Sequence, residues 1–213
     1  MLSLIGICVL SSYGYGQKQL SECTIIYNYA MGTSDGKEDG PSKTTAAFYI
    51  KGNMSRSENH SALASFSIIH DANAGTAVVL RELSGQKLLI RMNAENWADR
   101  NKRYEGLRFT TLQETKTIAG YNCLMAKGIT RDSLSILVYY SRDLRLDNKD
   151  YDPQFKNLDG LPLEYYLTKG KLTIHYVLSS INLNPVPASR FDIPTAGYRE
   201  MTYEESKKYS AAH

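Results

Sequence analysis

Long amphipathic helices are missing from this 213-residue chain, and helix signals of any kind are few. Any apolar sheet face must therefore be covered by something other than a helical layer. Runs of like charge are also missing. Lys and Arg are scattered among acids, and the net charge is only +3. The one short basic cluster, Arg100, Lys102 and Arg103, sits beside Asp99 and Glu105 and reads as a solvated face, so a nucleic-acid partner is not expected. Cysteines number three and histidines four, and none of His60, His70, His175 or His213 has a second ligand at metal-binding spacing. There is no P-loop and no G-x-G-x-x-G after a strand, no internal repeat and no low-complexity tract. No cofactor is expected.

Tyrosine is abundant, at 16 residues, and it favours half-buried strands with one wet end. Beyond residue 20 the apolar pattern has period two almost throughout. One face collects Cys23, Ile25, Tyr27, Tyr29 and Met31; others collect Ala46, Phe48 and Ile50, or Leu134, Ile136, Val138 and Tyr140. Leu161, Leu163, Tyr165 and Leu167 form another face, as do Leu172, Ile174, Tyr176 and Leu178. Lys51-Gly52-Asn53, Asp71 to Gly75, Ser84-Gly85 and Lys169-Gly170 read as short hairpin connections, which predicts an antiparallel meander. Residues 94–104 allow a short helix or an irregular crossing, and residues 151–160 allow one turn. Thr202 and Glu205 form a capping box that opens a short helix through Lys208. The Pro-rich segment 182–198 reads as extended.

A sheet with one apolar face and no helices to cover it must meet a second sheet or curl on itself. The expected fold is mainly β: a curled antiparallel sheet, or half-open β-barrel, with a few short helices including one at the C-terminus. Candidate cavity-lining residues are Tyr27, Phe48, Trp97, Ile136, Val138, Leu163, Tyr165, Ile174 and Tyr176. Periodicity leaves open whether the interior is hollow or filled by these side chains. Trp97, the single tryptophan, reads as a plug against the sheet or a ligand-facing ring.

The first 16 residues are uncharged, with an apolar stretch to Leu10 and then small and polar residues. Gly14 and Gly16 precede Gln17 in a small-x-small cleavage pattern. This reads as a cleaved signal peptide and predicts a periplasmic or secreted protein, peripheral to the outer membrane at most, with residues 17–208 as one domain and 209–213 as a frayed tail. Removal of the peptide takes Cys8 with it. Cys23 and Cys123 remain, either as a disulfide or as two small buried hydrophobes.

Gly32-Thr33-Ser34-Asp35-Gly36 spells the G-x-S-x-G of a hydrolase nucleophile elbow. Such an elbow needs a helix directly after it, and the Gly, Pro and charges of residues 36–43 cannot start one. The loop also fails as a calcium site, because Lys37 stands where an oxygen ligand belongs and Ala46 where a glutamate does. Arg56 and Glu58 share a strand face two residues apart, as a surface pair or as a charged latch at a cavity mouth.

Residues 46–58, "AAFYIKGNMSRSE", with 66–83 and 85–92, resemble the early strands of the lipoprotein-carrier (LolA/LppX-like) fold. "KTIAGYNC", "LDGLPLEYYL" and "SRFDIPTAGYREMT" resemble an uncharacterised family of secreted Gram-negative proteins with that fold. They are also similar to the GLPGLI family, although Gly160-Leu161-Pro162 runs straight into Leu163-Glu164 without the second glycine. The resemblance implies a half-barrel over an open apolar concavity, a lipid or lipoprotein acyl chain as ligand, and Arg56 in a region where the carriers use an arginine to hold their plug. The expected function is therefore a non-enzymatic envelope protein that holds an apolar ligand. The alternative is an interaction or scaffold module with a filled interior that meets another envelope protein.

Overall fold

The computed structural model describes residues 18–33, 44–61 and 64–211. Its strands are β1 (Lys18–Leu20), β2 (Glu22–Thr33), β3 (Thr44–Lys51), β4 (Met54–His60), β5 (Ala64–Asp71), β6 (Thr76–Leu83) and β7 (Gln86–Met92), then β8 (Thr110–Ile118), β9 (Tyr121–Ile129), β10 (Ser135–Ser141), β11 (Leu144–Leu146), β12 (Leu161–Lys169), β13 (Leu172–Asn182) and β14 (Arg199–Met201). Helix α1 (Ala94–Asn101) follows β7, and α2 (Tyr203–Ala211) follows β14. Short 3-10 turns lie at 102–104, 149–151, 153–155 and 188–191.

Twelve strands form one sheet in the order β14-β7-β6-β5-β4-β3-β2-β13-β12-β10-β9-β8, and β1 pairs with β11 beside it. Neighbours in the large sheet are antiparallel except for β14, which runs parallel to β7. The hairpins read from the sequence connect β3 to β4, β5 to β6, β6 to β7 and β12 to β13. At about 4.8 Å per strand, a flat sheet would hold β5 and β12 roughly 24 Å apart. Phe66 and Ile68 of β5 nevertheless border the same cavity as Tyr165 and Leu167 of β12, so the sheet is curled. It is not closed, because β14 and β8 remain as separate edges.

The inner face at β2, β3 and β9 to β12 packs Ile25, Tyr27, Ile50, Ile136, Val138, Leu163 and Tyr165 into the main core, each at most 2% exposed. The Tyr27 hydroxyl donates to the Pro162 carbonyl at 2.7 Å and ties β2 to the start of β12. Two chain segments roof the concavity. The first is the crossing from β7 to β8. Asn93 caps α1 by accepting from the Asn96 amide at 2.8 Å, and Arg103 pairs with Asp132 on the far side. The second is the 149–157 segment, joined to the first by Asn157 donating to the Leu107 carbonyl at 2.8 Å.

Strands β6 and β7 are buried on both faces. Inside, Ala77, Val79, Ile90 and Met92 pack with Met201 and Tyr203. Outside, Ile69, Val78, Leu80 and Leu89 lie under Phe191, Ile193 and Tyr198 of the Pro-rich segment. The capping box at α2 is formed in both directions: the Glu205 amide donates to Thr202 Oγ1 at 3.1 Å, and the Thr202 amide donates to Glu205 Oε2 at 2.7 Å. The helix continues to Ala211, three residues past Lys208. No helix among the described residues is long and apolar enough to cross a membrane.

Candidate functional site

The floor of the concavity is built from cross-strand rungs. Tyr165, Tyr176 and Tyr29 stand opposite one another on β12, β13 and β2. Their rings stack, with centroids 4.5 Å apart for Tyr165 and Tyr176 and 4.8 Å for Tyr176 and Tyr29. The next rung, Leu167, Ile174 and Met31, is aliphatic. Met31 is 47% exposed, and Leu172 just beyond it is 50% exposed, so this inner face is apolar and open.

Against the tyrosine rung lies a cavity of about 250 Å³. Phe48 and Phe66 come to it from one side, Tyr165, Leu167 and Tyr176 from the other, and α1 and the 151–154 segment close it from above. Trp97 of α1 stacks on His70 of β5 at 4.7 Å. His70 is 4% exposed, and burial pushes its imidazole below the usual range. Its Nδ1 is buried and has no hydrogen-bond partner. Asp152 caps the 3-10 turn at 153–155, its carboxylate accepting from the Gln154 amide at 3.1 Å and from the Gln154 side chain at 2.7 Å. Burial pushes its carboxyl up to about 6. Tyr104, Tyr151, Tyr165 and Tyr176 line the same cavity as Asp152.

Of the nine residues read as cavity-lining, Phe48, Trp97, Tyr165 and Tyr176 border this cavity. Ile174 lies half-buried in the adjacent rung. Tyr27, Ile136, Val138 and Leu163 are packed into the core beneath, so much of the interior is filled by the protein's own side chains. Arg56 is not a latch at the cavity mouth. Ser55 and Ser57 point into the concavity, and strand alternation turns Arg56 to the convex side. There its guanidinium lies 2.6 Å from Glu58 and donates to the Arg190 carbonyl at 2.9 Å, holding the Pro-rich segment against the sheet.

Cys23 and Cys123, the candidate disulfide, are free and buried. Each packs in the main core as a small buried hydrophobe. Burial raises both thiols to about 11. Native protein is therefore expected to resist thiol-reactive dyes at pH 8, with both groups reacting only after denaturation. Modification of either in the native state would contradict this burial.

Ser34 lies outside the described residues, as does the remainder of the 34–43 loop. Another serine does meet a histidine and an acid. Ser65 Oγ lies 3.2 Å from His60 Nδ1, and His60 Nε2 lies 3.3 Å from Glu58. These residues share the convex face with Arg56, and none borders the concavity. Glu58 is already engaged by Arg56. A hydrolase needs its nucleophile where a substrate can be seated. Here the set is a polar network on the convex face, with Glu58 buried beneath it.

Sequence reading missed His70, Tyr104, Tyr151 and Asp152 as site residues. Asp152-Pro153 does signal a helical turn start, with Asp at the cap and Pro in the first turn. That signal fixes the local geometry but not the side of the sheet on which the turn lands.

No family profile matches the chain, and no curated protein matches it in sequence. The lipoprotein-carrier resemblance therefore has no support from these sequence comparisons. The fold is similar to that of PNGF-II, solved in two crystal forms, at TM-scores of 0.52 and 0.53 and 14% identity. The match covers 87–88% of this chain but only 32–33% of PNGF-II, so the chain spans about a third of that protein's length. An uncharacterised conserved protein from Thermus thermophilus matches at a TM-score of 0.45 and 11% identity, over 83% of this chain and 90% of its own. MucB, also solved in complex with MucA(peri), matches at TM-scores of 0.33 and 0.32 and identities of 12% and 11%, covering 85% and 82% of this chain and 60% and 54% of its own.

Proposed function

We propose that this chain is a non-enzymatic binding protein of the cell envelope that holds the apolar part of a ligand, a lipid or a lipoprotein acyl chain, along the floor of its curled sheet. One observation carries the reading. The aliphatic rung Leu167, Ile174 and Met31 faces inward, continues directly from the cavity, and leaves Met31 and its neighbour Leu172 about half exposed. A contiguous inward apolar surface in a monomer marks a place where something else sits. The cavity, at about 250 Å³, falls below the roughly 300–1,000 Å³ of drug-sized ligand pockets. A chain longer than a few carbons must therefore extend along the open rungs rather than thread inside.

The envelope assignment follows from the leader-like first 16 residues, which lie outside the described structure. The filled core supports the alternative of a scaffold module, in which a partner protein would cover the same rungs. To separate the two, protein purified from its native compartment is extracted for mass spectrometry and titrated with a fluorescent fatty acid. A bound lipid is expected, and Met31→Glu together with Leu172→Glu is expected to weaken fatty-acid binding at least tenfold while leaving thermal unfolding nearly unchanged. Both side chains are about half open to water, so little burial is lost when they are replaced. Lipid-free preparations without measurable fatty-acid affinity would favour the scaffold reading.

A further inference from the structure

The proposed ligand floor ends on a chemical feature that an acyl chain does not need. Asp152 borders the cavity with no Lys or Arg paired to it among the described residues. Its role as a turn cap does not require a charge, since serine or asparagine caps equally well without burying a carboxylate. Two polar groups at the same cavity have no hydrogen-bond partner, His70 Nδ1 and the Tyr151 hydroxyl. Nδ1 of His70 is buried and free to bond a donor when the proton sits on Nε2. Tyr104, Tyr151, Tyr165, Tyr176 and Trp97 also line the cavity, an aromatic wall that suits the alkyl groups of an organic cation. The lining residues include one cation, Arg100. Its guanidinium is turned onto the Phe66 ring at 5.7 Å.

We infer that the cavity takes an organic ammonium group, hydrogen-bonded to Asp152 and His70 beside the aromatic wall, with the ligand's apolar portion lying along Leu167, Ile174 and Met31. This rests on the reading of the concavity as a ligand site and names the head group it selects. An aminolipid head and a free alkylamine share this chemistry. Trp97 stacks on His70 and borders the cavity, so binding is expected to change the fluorescence of the only tryptophan.

The test compares decylammonium, decanol and decanoate, below their micellar concentrations and at pH 8, by calorimetry and Trp97 fluorescence on the full chain. Decylammonium is expected to bind at least tenfold tighter than decanol, and Asp152→Asn is expected to bring the two within about twofold while decanol affinity stays unchanged. Vesicles carrying an aminolipid, compared with vesicles of a neutral glycolipid, distinguish a lipid head from a free amine. Equal binding of decylammonium and decanol, or tightest binding of decanoate, overturns the ammonium site and leaves the apolar floor standing. Failure of all three to bind removes both.

Discussion

Gly160→Ala is expected to lower folding stability by about 4 kcal/mol, or to prevent folded protein from accumulating. Gly160 precedes β12 with a φ of +157°, and a Cβ built there would lie 2.2 Å from the Ser141 carbonyl oxygen and 2.8 Å from its carbon. Both contacts are with backbone at the end of β10, which cannot swing aside as a side chain can. Ser141 pairs directly with Leu161, so relief of the clash would cost the register that places Leu163 and Tyr165 in the core. The control is one residue away. Asp159 makes only surface ion pairs, with Arg142 at 3.3 Å and Arg145 at 2.9 Å, and Asp159→Ala is expected to cost less than about 1 kcal/mol. Denaturant titration of the two variants measures the difference. A Gly160→Ala protein as stable as the Asp159→Ala protein would mean that β10 and β12 do not approach as described.

Asp152→Asn is expected to act in the opposite direction, stabilising the protein by about 3 kcal/mol at pH 8 and by little at pH 3. The carboxyl titrates near 6 in the folded state because burial disfavours its charge, against 3.8 for an ordinary aspartate. A folded pKa above the unfolded one means that the folded state holds the proton more tightly. Its stability contribution is therefore complete below about 3.8 and is lost as pH rises through about 6. Asparagine keeps the acceptor for the Gln154 amide and carries no charge to bury. His70 works the other way: its folded pKa is lowered, so its contribution is present above about 6.5 and is lost as pH falls. Subtracting the wild-type stability from that of the variant at each pH removes the His70 contribution. A difference that stays flat from pH 3 to 8 would show that Asp152 is solvated like a surface acid. A charge that costs stability in the free protein is retained where it serves a bound cation, which links this expected gain to the expected loss of ammonium binding in the same variant.

Much of the fold was legible in period-two patterns. Cys23, Ile25 and Tyr27 alternate with their neighbours in burial as the sequence alternates in polarity. The Gly-containing hairpins and the Thr202–Glu205 capping box were equally local, because two to four residues of turn chemistry decide them. The candidate site was less legible. Arg56 and Glu58 were readable as sharing a face, but which face looks into the concavity depends on the direction of the curl. The continuous apolar runs of β6 and β7 need two coverings, and their outer one comes from the 182–198 segment, about a hundred residues later.

The sequence alone determined that the chain folds as half-buried antiparallel strands with too little helix to cover them, since alternation and turns act between neighbours. Only the tertiary structure decided how far the sheet curls and which side chains fill it. It also brought Asp152, His70 and Trp97, from three separate segments, to one cavity. The physical reason is range: a strand's polarity pattern fixes two faces, whereas a binding site requires distant faces to meet, and that depends on curvature and packing volume summed over the whole sheet.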